Sequence, residues 1–188
     1  MTTFKAAVLV GSLRKESFTR KIAKALVKLA PEQLSCTIVE IGDLALYNED
    51  LEADPPAAWI AFRAALKDVD AVLFATPEYN RSIPGVLKNA IDVGSRPHGK
   101  SVFEGKAGAV VSVSPGAIGG LGANFAVRNA VVFLNVLMMQ QPEAYIGGVK
   151  NLLNEAGELN SESTRVFLTN FMKAFADWTG VVAGRKKA

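Results

Sequence analysis

The fold class predicted for this chain is a doubly wound three-layer α/β/α sandwich around five parallel strands, and three observations predict it. Short apolar runs rich in Val, Leu and Ala alternate with longer segments whose apolar residues return at helical spacing. The short runs lack polar alternation, as strands do when helices cover both faces of a parallel sheet. The length, 188 residues with 49% hydrophobic and 21% charged, suits one domain over 1–188 whose core needs no disulfide or metal staple.

The elements follow in the order βαβαβαβαβα. The first strand is Ala6 to Val10, and the helix after it, Thr19 to Leu29, places Ile22, Ala25, Leu26 and Leu29 on one face. Cys36 to Ile41 reads as the second strand. A helix over Ala57 to Leu66 follows Pro55-Pro56, since proline suits a first helical turn. Ala71 to Ala75 is the third strand, and the next helix, Gly85 to Val93, gathers Leu87, Ala90 and Ile91. Ala109 to Val113 is the fourth strand, followed by a helix over Gly122 to Leu134 and a short fifth strand over Val136 to Met139. The last helix, Ser161 to Trp178, carries a buried stripe of Phe167, Phe171, Ala174 and Trp178, with Ser161 as its cap. Right-handed crossovers put the loops after strands one, three and four on one edge, where such sheets bind ligands.

Charge and composition exclude several classes. Lys and Arg number 21 against 18 acids, and the excess of +3 nearly equals the terminal cluster Arg185-Lys186-Lys187, so no basic stripe for nucleic acid is present. A single cysteine, Cys36, and a single histidine, His98, give neither a disulfide nor a zinc spacing, which predicts a reducing compartment and no metal. Met1 to Lys5 lacks a basic leader before a long apolar core, and no run approaches the ~18 apolar residues of a membrane span. A cytoplasmic protein is expected.

Three loops carry candidate chemistry. Gly11 to Thr19 is rich in hydroxyls: Ser12, Ser17 and Thr19 stand with Arg14 and Lys15 before a helix N-terminus, where unpaired N–H groups and the helix dipole favour a terminal phosphate. Ser17 or Thr19 would equally cap the helix, and the two roles are compatible. Only one glycine is present, so the dinucleotide fingerprint does not apply. The second loop, Thr76 to Gly85, is stiffened by Pro77 and Pro84 and offers Tyr79 and Asn80 to a planar heterocycle, or else packs Tyr79 inward as a plain connection. The third runs from Ser114 to Gly122, and its small residues let backbone approach a ligand closely.

These residues resemble a known family. Gly11-Ser12-Leu13-Arg14 with Ser17, then Pro77-Glu78-Tyr79-Asn80 through Ile83-Pro84-Gly85 and Leu87-Lys88-Asn89-Ala90-Ile91-Asp92, is similar to the NADPH-dependent FMN reductases, and within them to bacterial quinone and chromate reductases. Gly119-Gly120 and Pro142-Glu143 extend the likeness over nearly the whole chain. The resemblance implies a flavodoxin-like fold holding FMN, with the phosphate on Ser12, Leu13, Arg14, Lys15, Glu16, Ser17, Phe18 and Thr19. It puts the isoalloxazine against Pro77, Glu78, Tyr79 and Asn80, with Ser114 as a further contact. It also implies reduction of FMN by NADPH or NADH, then oxidation by a quinone or similar small acceptor, chromate included, bound in alternation. No separate catalytic acid or base is needed, because the flavin carries the chemistry. Thr19 stands where the family commonly has Asn, and Val93 where Trp often follows the helix-three Asp.

Rival readings fail on context. Gly94-Ser95-Arg96-Pro97-His98-Gly99-Lys100-Ser101 matches a P-loop letter for letter, but a helix precedes it and a strand follows, the reverse of what that mechanism requires. Ser112 to Gly116 lacks the first glycine of a nucleophile elbow. A receiver domain needs acids after strand one, where Gly11-Ser12 stand. A flavodoxin-like electron carrier docking on redox partners is the alternative function; such carriers are strongly acidic, and this chain is not. Finally, Phe125 to Met139 is more apolar than one helix face needs, with Phe133, Leu137 and Met138 as contacts for a second copy, so a homodimer or homotetramer is expected.

Overall fold

The computed structural model describes residues 3–185; Met1 and Thr2, and the Lys186 and Lys187 of the basic terminus, lie outside the described residues. The chain runs β1 (Phe4–Val10), α1 (Phe18–Leu29), β2 (Leu34–Val39), α2 (Ala57–Lys67), β3 (Ala71–Thr76), α3 (Gly85–Ser95), β4 (Ala107–Val113), α4 (Leu121–Val132), β5 (Leu137–Met138), β6 (Ala144–Ile146) and α5 (Glu162–Arg185). All strand pairs are parallel, in the order β2-β1-β3-β4-β5, with β6 also on β4. The chain reverses direction across the sheet between β1 and β3, which sets the ligand edge of an open α/β sheet.

Residue periodicity splits the core in two. Val8, Val10, Leu73, Ala75, Val111 and Val113 face the layer of α1 and α5, while Ala7, Leu9, Val72, Phe74 and Val110 face α2, α3 and α4. In β1, β3 and β4 both sets are buried, as a parallel sheet under two helical layers demands. β2 departs from the expectation. It begins at Leu34 and stops at Val39, and as an edge strand it leaves Ser35 and Thr37 exposed. Cys36, between them, is half-buried, and burial pushes its thiol up to about 11.

The sheet holds six strands among the described residues, not the five that the sequence predicts. The segment from Val136 to Met139 forms only the two-residue β5, against Ala107 and Gly108; the chain leaves at Met139 and returns as β6 beside Val111 to Val113. Pro142 lies in the gap, and a proline has no N–H for the ladder. Side chains of α4 serve the interrupted backbone: Arg128 Nη1 donates to the Met139 carbonyl at 3.0 Å and Asn124 Nδ2 to the Ala144 carbonyl at 3.2 Å. Leu137 and Met138, expected at an intermolecular contact, are half-buried and pack on the two cores. α5 begins after Ser161, whose Oγ accepts from Thr164 N at 3.4 Å, and runs on past Trp178 to Arg185. No helix is long and apolar enough to cross a membrane among the described residues.

Candidate functional site

β1, β3 and β4 end in register, Val10 beside Ala75 and Thr76 beside Ser112, so the loops that follow them open on one edge. Gly11 N donates to the Ala75 carbonyl at 2.8 Å, which continues the ladder into the first loop. A Cβ on Gly11 would lie 3.2 to 3.3 Å from Leu87 and Pro77, so glycine lets the first loop close on the second.

In the first loop the hydroxyl residues are drawn in: Ser12 is 4%, Ser17 2% and Thr19 2% exposed. Ser17 caps α1, its Oγ accepting from Arg20 N at 3.1 Å. Leu13, Arg14, Lys15 and Glu16 are exposed around them. Leu13 leans on Gly42 of the loop after β2, and Arg14 and Lys21 each stand 6.0 Å from the Phe18 ring. Lys21 grips the Glu16 carboxylate at 2.6 Å and, by that hydrogen bond and its charge, holds it below the usual carboxylate range. The first turn of α1 carries no acid. A helix N-terminus with buried hydroxyls, exposed cations and a neutralised glutamate is suited to an anion.

The second loop is a tight hairpin. Tyr79 and Ser82 exchange both backbone hydrogen bonds, at 3.0 and 2.9 Å, around Asn80 (φ 51°) and Arg81 (φ 63°). Two left-handed residues in succession are the geometry of a type I′ turn, which asparagine tolerates. Tyr79 is 49% exposed, so it does not pack inward, and Asn80 is exposed beside it. Pro77 is half-buried, its carbonyl accepting from Thr76 Oγ1 at 2.7 Å. Glu78 turns away from the mouth: Oε2 accepts from Ala123 N at 3.1 Å and Oε1 from Arg81 Nη1 at 3.2 Å.

In the third loop, half-buried Ser114 accepts from Gly116 N at 3.1 Å through Oγ, and its own N–H donates to the Ile146 carbonyl at 2.9 Å. Gly119 and Gly120 have φ of 68° and 77°, and a Cβ on Gly119 would lie 2.6 Å from the Tyr145 carbonyl carbon. Glycine is required there for both reasons. β6 thus supports the ligand edge, a role the sequence pattern did not show because its three residues are too few for periodicity.

A fourth segment, which the sequence pattern does not mark, is tied to α3. In the loop after β2, Tyr47 N donates to Asn89 Oδ1 at 2.8 Å, and Asn89 Nδ2 donates to the Leu44 and Ala45 carbonyls at 3.1 and 3.0 Å. Asn89 is therefore a buried brace. Its signal in the sequence is an amide on the buried face of α3. Val93 is buried in the layer of α2 and α3, away from the mouth.

The P-loop match wraps the C-terminus of α3 at the opposite edge. Arg63 donates there to the Val93 and Lys100 carbonyls at 3.3 and 3.2 Å, while His98 and Lys100 are exposed. Among the described residues, no group of three or more His, Cys, Asp or Glu is placed to hold a metal ion.

Comparison with known proteins bears on this edge. The sequence model of the NADPH-dependent FMN reductase family matches residues 4–151. A quinone reductase of Pseudomonas putida is 62% identical over 176 residues, 93% of this chain and 94% of that protein. A 2-hydroxy-1,4-benzoquinone reductase of Burkholderia sp. is 46% identical over 174 residues, covering 93% and 95%. Among solved structures, the flavoenzyme NAD(P)H:(acceptor) oxidoreductase FerB of Paracoccus denitrificans superposes with a TM-score of 0.89 at 43% identity, over 95% of this chain and 98% of that one.

Proposed function

Since the chain belongs to the NADPH-dependent FMN reductase family, we propose that it is an FMN-dependent NAD(P)H oxidoreductase that reduces quinones and similar small acceptors, chromate included. The carrying observation is the acid-free N-terminus of α1, where the hydroxyls of Ser12, Ser17 and Thr19 are buried beside Arg14. These residues fit the phosphate of FMN: they offer neutral donors and a cationic fork to a dianion, and the one acid of the loop, Glu16, is already paired with Lys21. Leu13, Lys15, Glu16 and Phe18 complete this cradle, the glutamate through its backbone. Pro77, Tyr79 and Asn80, the backbone of Glu78, and Ser114 would hold the ring.

Bound FMN supplies the hydride-accepting ring. The protein binds and orients it and leaves the mouth by Tyr79 open for NADPH or NADH and for the acceptor, each in turn. The high identity to a quinone reductase supports the acceptor class. Cys36 as the single thiol suits a cytoplasmic setting.

A second copy is part of the reading. Leu121, Phe125 and Val132 form an exposed apolar row on α4 that ends in Phe133, 84% exposed. Such a row in a homodimer, or in a homotetramer built from dimers, would be covered by its symmetry mate.

Two measurements test these statements. Purified protein, loaded with FMN and freed of excess, shows flavin absorption near ~450 nm that NAD(P)H bleaches and a quinone restores; protein that retains no flavin refutes the assignment. Sedimentation shows a dimer or larger, and a fully active monomer of 20.0 kDa refutes the association.

A further inference from the structure

We propose that Glu78 is a positioning residue: its carboxylate clamps the ring-binding hairpin to the first turn of α4 and so holds Tyr79 and Asn80 in place without itself contacting a ligand. The proposal deepens the flavin reading above and rests on it for its functional consequence.

Helix α4 does not cap itself. Gly120, at the N-cap of α4, is in the left-handed region, offers no side-chain cap, and the first turn carries no acid. Its early N–H groups therefore need partners from elsewhere. Ala123 N finds one in Glu78 Oε2 at 3.1 Å, from a loop 45 positions earlier. The other carboxylate oxygen takes Arg81 Nη1 at 3.2 Å, and the side chain is only 14% exposed. The acid thus lies between the positive end of a helix and a guanidinium and bridges the two.

The backbone is shaped to this contact. A Cβ on Gly122 would stand 2.7 Å from the Arg81 carbonyl and 3.0 Å from Glu78 Oε2, so only glycine lets the helix close on the hairpin. The helix turn is in turn fixed to the sheet: Asn124 Nδ2 donates to Ser112 Oγ at 3.3 Å and to the Ala144 carbonyl at 3.2 Å. A continuous path runs from β4 and β6 through Asn124 and α4 to Glu78 and the hairpin. The hairpin's backbone hydrogen bonds join Tyr79 to Ser82, which fixes its shape but not its position. Glu78 supplies the position.

Glu78→Ala, Glu78→Gln and Gly122→Ala separate this role from others. Amide hydrogen exchange on the full chain, with and without FMN, reads the clamp directly; FMN titration and the flavin midpoint potential read its consequence. In Glu78→Ala the amides of Ala123, Tyr79 and Ser82 exchange about tenfold faster or more, and FMN binds roughly tenfold more weakly. Glu78→Gln, whose amide oxygen still accepts from Ala123 N, stays within about threefold of wild type on both measures and keeps its potential. Gly122→Ala reproduces the Glu78→Ala pattern from the helix side, and decides the matter should Glu78→Ala not fold. Wild-type exchange in both Glu78→Ala and Gly122→Ala overturns the clamp. So does a Glu78→Gln variant whose potential shifts with exchange unchanged, since the charge would then act on the flavin directly. Wild-type protein that binds no FMN refutes the flavin reading and leaves the exchange result to judge the clamp by itself.

Discussion

The turn from Gly11 to Ser17 and the turn from Gly94 to Ser101 are alike in composition, each offering glycine, serine, arginine and lysine, yet they meet opposite ends of a helix. The first enters α1, so it faces unpaired N–H groups and the positive end of the dipole. The second leaves α3 and wraps its carbonyl end, where Arg63 already donates to two carbonyls. One turn is built to receive negative charge, and the other has its local negative ends covered from within. The direction of the neighbouring helix separates them, and the letters of the motif do not.

The sharpest way to break this contrast is Ser12→Asp. A carboxylate at a position only 4% exposed, beside the proposed phosphate site, should lower FMN affinity more than about 100-fold by like-charge repulsion in a poorly solvated place. Quenching of flavin fluorescence on titration measures it, and near wild-type binding would remove the phosphate from that helix end. A smaller effect is expected of Arg14→Ala, about tenfold on FMN and little on riboflavin, because one exposed charge-assisted contact to the phosphate is lost. Equal losses for both flavins would make Arg14 structural. On the other turn, Arg63→Ala should cost about 1–2 kcal/mol of stability in urea unfolding by releasing the two carbonyls, with FMN affinity unchanged. Last, Lys100→Ala should alter neither flavin content nor turnover; magnesium-dependent ATP binding that this variant loses would restore the P-loop.

The same distinction explains how much was legible in the sequence. Strands β1, β3 and β4 announce themselves because both faces are buried, so their residues are almost uniformly apolar. The alternation Ser35-Cys36-Thr37-Ile38 marks an edge strand, and reading it as an apolar run displaced the start of β2 from Leu34 to Cys36. The first loop was legible because hydroxyls before an amphipathic helix have a local meaning, borne out at Ser17 as a cap. Glu78 was harder. Its helix partner, Ala123, lies 45 positions away, and nothing near Pro77-Glu78-Tyr79-Asn80 shows that the acid points at a helix and not at the mouth. Asn89 is a similar case, since its contacts with Leu44, Ala45 and Tyr47 join segments of unrelated pattern.

The broken fifth strand has a consequence for how this chain tolerates change in length. In β1 or β3 an added residue would turn every following side chain to the wrong layer, because successive residues alternate between two buried cores. The stretch between Met139 and Ala144 is anchored at its ends, by the pairing of β5 with Ala107 and Gly108 and of β6 with Val111 to Val113, and by Arg128 and Asn124 on the Met139 and Ala144 carbonyls. It therefore works as an expansion joint: a residue added between the anchors is taken up as slack there and leaves Ile146 on Ser114.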